Sequence, residues 1–263
     1  MIRIDQQLEE IEVEHTQLII GIPGNWKSRT EIIQAIASKS DGFLMAGDMI
    51  LNSQTSTGYQ VEVYEYDHNL CNAFNNASRE SLSKDLLAKI NNHTHTLYVI
   101  TDVRDIEDVI NVIDVGAGLL KAGGIAVKIE NSGVALSKEI WLELQNNHEF
   151  SLIYSHFVNL VGDNDLFYSC GMQFFGLPDV IITSNLASRD AANLINHFNL
   201  YNLVERPTIK NGETFSIGQN TPITKIQLSD DSRYDKDDLF YNKFGLIELR
   251  EKKDKGNFWK IFK

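Results

Sequence analysis

Asp105-Ile-Glu-Asp-Val-Ile-Asn-Val-Ile-Asp-Val-Gly-Ala-Gly-Leu-Leu-Lys-Ala-Gly-Gly124 decides the fold class. Ile106, Ile110, Ile113, Ala117 and Leu120 recur at three- and four-residue spacing, which marks one face of a helix. Asp105 suits the cap position, and Glu107 and Asp108 join it in the first turn, where the helix dipole favours carboxylates. Gly123-Gly124 stops the helix. The pattern predicts a helix over 105–122 with Ile110 and Ile113 in a core. β-Branched runs flank it, Thr96 to Thr101 before and Ile125 to Ile129 after, so strand, helix and strand follow one another.

The same alternation extends upstream. Thr16 to Ile22 reads as a buried strand broken by Pro23-Gly24. Ser28-Arg-Thr-Glu31 has capping-box spacing, and Ile32, Ile33, Ile36 and Ala37 follow with helical period. Phe43 to Leu51 and Tyr59 to Tyr66 read as strands. In the second, Tyr59, Val61 and Val63 face one way, and Gln60, Glu62, Tyr64 and Tyr66 the other. A short helix over Leu82 to Ile90 precedes strand 96–101. The order β-α-β-β-α-β predicts an α+β, ferredoxin-like sandwich with a mixed sheet and helices on one face.

Downstream, Ser137 caps a helix around Trp141 and Leu144, Leu152 to Val161 and Leu166 to Met172 read as strands, and Ser188 caps a helix. Residues 208–250 read as short strands and turns around an acidic loop. By element order this half is a degenerate second copy. The expected division is an acidic arm (1–15), a first α+β unit (16–150), a second unit packed on it (151–250) and a basic aromatic tail (251–263).

The 263 residues carry a net charge of −12. Residues 1–150 hold 11 Lys/Arg against 22 Asp/Glu, so one half bears nearly all of it. Nucleic acid and anionic lipid are poor partners for such a surface; a basic protein suits it. No apolar run reaches membrane-spanning length, so no membrane insertion is expected. With two cysteines and no secretory leader pattern, the expected location is the cytoplasm.

Candidate chemistry is sparse. Gly21-Ile-Pro-Gly-Asn-Trp26-Lys-Ser28 stands where a phosphate loop belongs, but Trp26 occupies the place of its second glycine. The corner therefore reads as a packed turn. Cys170, with His156 and Asp163 or Asp165 near in sequence, is a candidate nucleophile, yet it falls in an apolar run and reads as a buried thiol. His93-Thr-His95 lacks an acidic or Cys partner nearby, so no metal and no cofactor is expected.

Ile22-Pro-Gly-Asn-Trp26, Gly123-Gly-Ile-Ala-Val-Lys128, Tyr168-Ser-Cys-Gly-Met172 and Phe175-Gly-Leu-Pro-Asp179 occur in this order. In these motifs the chain resembles a widespread bacterial family of uncharacterised cytoplasmic proteins with an IPGxW start and a GMxxFGLPD centre. Related families turn up as immunity proteins against secreted toxins. The resemblance offers no catalytic residues. It implies structural roles for Gly24, Trp26, Gly171, Gly176 and Pro178.

The leading expectation is thus a non-catalytic binding protein that neutralises a toxin by covering its basic active-site cleft. Glu62, Tyr64, Tyr66, Asp102, Asp105, Glu107 and Asp108 are the expected partner-binding residues. An enzyme working at the Trp26–Ser28 corner or at Cys170 is the alternative, and a structural or regulatory subunit the third reading.

Overall fold

The structure is a computed structural model that describes residues 15–163, 166–183, 186–218 and 223–251. Residues 1–14 of the expected arm and 252–263 of the expected tail lie outside the described residues. The class is α+β.

The first sheet has seven strands: β1 (Thr16–Gly24), β2 (Phe43–Ala46), β3 (Met49–Asn52), β4 (Gly58–Glu65), β5 (His95–Val103), β6 (Ala126–Ile129) and β7 (Val134–Ser137). Their order is β2-β3-β4-β5-β1-β6-β7. Every pair is antiparallel. The mixed sheet expected of a ferredoxin-like unit is therefore not the arrangement here. β1 also runs on through Pro23 and Gly24, because Ile125 N–H donates to the Pro23 carbonyl at 2.8 Å. Phe43 to Leu51 turns back on itself at Gly47, whose φ of 57° suits glycine, so the expected single strand is a hairpin.

Helices α1 (Arg29–Lys39), α4 (Ile106–Lys121) and α5 (Lys138–Asn146) bury Ile32, Val112 and Trp141 in the core formed with Leu18, Ile20 and Val99 of the sheet. Ser28 Oγ accepts from Glu31 N–H, and Glu31 accepts from Lys27 N–H, so the box closes one residue early. α4 is buried almost all round: Val109, Val112 and Ile113 are covered, whereas Ile110 is only partly so. The single-face reading fails because α4 is enclosed by sheet, α1, α5 and the turn at 172–175.

Helices α2 (Leu70–Ala77) and α3 (Lys84–Asn91) pack on the other face, where Leu70 and Phe74 meet Ala126 and Ala135. Helices thus lie on both faces of the sheet. Among the described residues, no helix residue lines the cleft that Ile19, Tyr98 and Ile100 border on this second face.

Phe150–Phe157 is a helix, α6, although a strand is expected there. Ile153, Tyr154 and Phe157 are its buried positions, a helical spacing hidden in a short apolar run. The second sheet follows, built from β8 (Asn159–Asp163), β9 (Leu166–Cys170), β10 (Asp179–Thr183), β11 (Thr214–Phe215), β12 (Thr224–Ser229) and β13 (Leu246–Glu251). It is mixed: β10 and β13 run parallel. Helix α7 (Ser188–Glu205) covers it with Ala191, Ile195 and Phe198. Phe157, Phe174 and Leu203 enter the first core, so the halves share packing.

Candidate functional site

The open face of the first sheet holds a cleft of about 610 Å³. Register explains its composition. Glu62 opposes Tyr98, Tyr64 opposes Thr96, Gly21 opposes Tyr98, and Ile19 opposes Ile100. Because side chains alternate along a strand, these residues share one face while Val61, Leu97 and Ile20 share the other. β4 supplies Glu62, Tyr64 and Glu65, and Tyr66 and Asp67 follow it. Glu130 closes one side, and Leu239, from the acidic loop of the second half, closes another.

Gly21 keeps the floor low. A Cβ there would stand 2.9 Å from the Tyr98 ring and 3.0 Å from the Glu130 carboxylate, so both lie across bare backbone. Tyr64 and Tyr98 meet edge to face, 5.5 Å apart at 87°. Tyr64 Oη donates to Glu62 at 2.9 Å, which lifts the phenol above its ordinary range. Burial, then Glu130, Asp67 and Tyr64, push Tyr98 up to about 12. Both phenols stay neutral donors at neutral pH. Lys128 pairs with Glu130. Among the described residues no Lys or Arg pairs with Glu62, Glu65 or Asp67. The cleft is therefore aromatic and anionic.

Of the expected partner-binding residues, the structure brings Glu62, Tyr64 and Tyr66 together in this cleft. Asp102 falls on the same side of β5 but beyond the rim, 3.4 Å from His15. Asp105 caps α4 by accepting from Glu107 and Asp108 N–H, and Asp108 is bonded to Arg104. With Glu107 they start a helix that packs on the opposite face, so they do not border the cleft. Sequence reasoning missed Tyr98, Glu65, Asp67, Glu130 and Gly21. The alternation Thr96, Tyr98, Ile100 was a usable signal, but only register shows that Tyr98 stands beside Tyr64.

The other candidate sites are packed. Trp26 is buried, donates Nε1–H to the Ala122 carbonyl at 3.0 Å, and lies against Gly24 and Gly123. Its ring occupies the corner between Gly24 and Gly123. Cys170 donates to the Asn131 carbonyl at 3.7 Å, and burial pushes its thiol far above the ordinary range. His156 is bonded to its own helix at Leu152, Asp163 belongs to β8, and Asp165 lies outside the described residues. His93 accepts from Asp67 N–H at Nε2, so Nδ1 donates to Ile90, and both nitrogens are occupied. No group of three or more potential metal ligands occurs among the described residues. None of their helices is long and apolar enough to cross a membrane.

Gly171 and Gly176 have φ of 123° and 67° and bracket the 3₁₀ turn Met172–Phe175. They set up Pro178 and Asp179. Asp179 is fully buried and accepts from Ser169 Oγ, Met172 N–H and Arg233. Arg233 also binds Asp231 at 2.8 Å and lies over the Tyr168 and Tyr234 rings, 4.9 and 5.4 Å from their centroids. Burial raises the Asp179 carboxyl against the pull of Arg233. Burial also works to raise Asp231, but the hydrogen bonds from Arg233 and Asn242 outweigh it and hold Asp231 low.

Residues 168–237 match the family described as Domain of unknown function (DUF4261). That segment contains the whole Asp179–Arg233–Asp231 cluster and none of the cleft. No curated protein and no solved structure matches the chain.

Proposed function

We propose that this chain is a non-catalytic cytoplasmic binding protein, an immunity protein that neutralises a bacterial toxin by covering its basic active-site cleft. One observation carries the basic-partner half: an open cleft lined by Tyr64, Tyr66 and Tyr98 among Glu62, Glu65 and Asp67. Tyrosines supply contact area at low entropic cost, and carboxylates steer a cationic partner. Exposed Asp235, Asp237 and Asp238 precede Leu239 in the loop at the rim and extend the negative field. The toxin half is supported by the motif resemblance.

The test is growth of cells making a secreted toxin, the first candidate being any such toxin encoded by an adjacent gene. The wild-type chain should protect, and Glu62→Lys/Glu65→Lys/Asp67→Lys should not. Protection by a folded triple variant would remove the cleft from the mechanism. Failure of the wild type to protect would remove the immunity reading.

A further inference from the structure

We infer that the cleft seats an arginine side chain of its partner, the guanidinium lying against the tyrosine rings between Glu62 and Asp67. The inference rests on the binding reading above and names the group bound. Three observations carry it.

The first is the chemistry of the lining. A guanidinium is planar and weakly hydrated, stacks on aromatic faces and forks onto carboxylates; an ammonium is compact and strongly hydrated. Broad rings beside separated carboxylates suit the former. The second is Thr96. It is 2% exposed, lines the cleft, and its hydroxyl has no hydrogen-bond partner. An N–H deep in the cleft would satisfy that oxygen, and leaving it unpaired is costly. The third lies within the molecule. Arg233 lies over the Tyr168 and Tyr234 rings with carboxylates of Asp179 and Asp231 at 2.8 Å. The cleft offers the same combination to an outside chain.

The probes are N-acetyl-Gly-Arg-Gly amide and its Lys counterpart, titrated into the intact protein and followed by NMR of the tyrosine rings. The Arg peptide should shift Tyr64 and Tyr98 and bind about tenfold tighter than the Lys peptide. Tyr98→Ala should weaken it about tenfold, and Tyr98→Phe should restore most of the affinity. Thermal melts identify any variant that fails to fold, and Asp67→Asn, at an exposed position, gives a second measure of weakened binding. Equal affinity for both peptides, shifts outside the cleft, or indifference to Tyr98→Ala and Asp67→Asn would overturn the inference. Toxin protection without arginine binding would sink this inference alone. Arginine binding in the cleft without protection would sink the immunity reading alone.

Discussion

Arg233 Nη2 stands 2.8 Å from Asp179 Oδ2, and both side chains are buried. Fifty-four positions of chain separate them. The contact ties the Phe175–Asp179 motif to the acidic loop that delivers Leu239 to the cleft. Removing one partner of a buried pair strands a charge and costs about 3–5 kcal/mol. Arg233→Met should therefore lower the urea-unfolding free energy by about that amount, since two carboxylates lose their cation. A loss below about 1 kcal/mol would show that the triad is not the fastener of this loop.

Trp26 and Gly24 should prove energetically coupled. A Cβ on Gly24 would fall 2.2 Å from the Trp26 ring. Gly24→Ala should cost about 1–3 kcal/mol by overpacking, and Trp26→Ala about 3–5 kcal/mol. In the Trp26→Ala background, Gly24→Ala should cost much less. A double-mutant cycle measures this, and additive losses would refute the contact.

That pair shows what was legible in the sequence. Trp26 read as a packed residue because its side chain could not line a phosphate loop. Gly24 reads as a turn glycine, but its task is to leave room for the indole of Trp26, which folds back over it from two residues on. Strongly periodic segments came through: the 105–122 helix, and the alternation that puts Glu62, Tyr64 and Tyr66 on one face. Short apolar runs did not, as with Phe150–Phe157, since eight residues satisfy either period. The cleft itself needed register. Tyr98 and Gly21 come from two strands and Glu130 from the turn after a third, and no local pattern announces that they meet. The triad was invisible for the same reason: Asp231 looked like one carboxylate of a solvated loop.

Cys170 should resist iodoacetamide in the native protein and react after denaturation. Its thiol is buried and pushed far above the ordinary range by that burial. The thiolate is the reacting species, so labelling should follow unfolding. Peptide mapping after brief native labelling checks this, and rapid modification at Cys170 would revive the nucleophile reading.

Alkaline titration should separate the tyrosines. Burial is the first cause that pushes Tyr59, Tyr98 and Tyr154 each up to about 12. An unfolded tyrosine ionises near ~10. Native phenols hold their protons more tightly, so the stability linked to them is complete below that point. It is lost as pH rises from ~10 towards ~12. Phenolate absorbance should show a late-ionising class, and urea stability should fall over the same window. Uniform ionisation of all nine tyrosines near ~10 in the folded protein would contradict the burial of these three.

Association with the basic partner should depend on the cleft carboxylates and not on those of α4. Glu62, Glu65 and Asp67 carry no Lys or Arg partner among the described residues, so their field reaches solvent. Asp108 is neutralised by Arg104, Asp105 is spent capping α4, and both stand behind the sheet. Steering lifts association from ~10⁵–10⁶ towards ~10⁸–10⁹ M⁻¹s⁻¹ at low salt, and salt removes the gain. Lys replacements at Glu62, Glu65 and Asp67 should therefore slow association by about tenfold or more at low salt and change dissociation less. The on-rate of that variant should also lose most of its salt dependence. Asp105→Asn/Asp108→Asn should leave the on-rate within about twofold, because groups paired or screened by the sheet contribute little. Tyr64→Ala should act through faster dissociation, since its exposed ring provides contact after encounter. Stopped-flow binding across a salt series reads all three. An on-rate that follows the α4 variants and ignores the cleft variants would move the interface to the other side of the molecule.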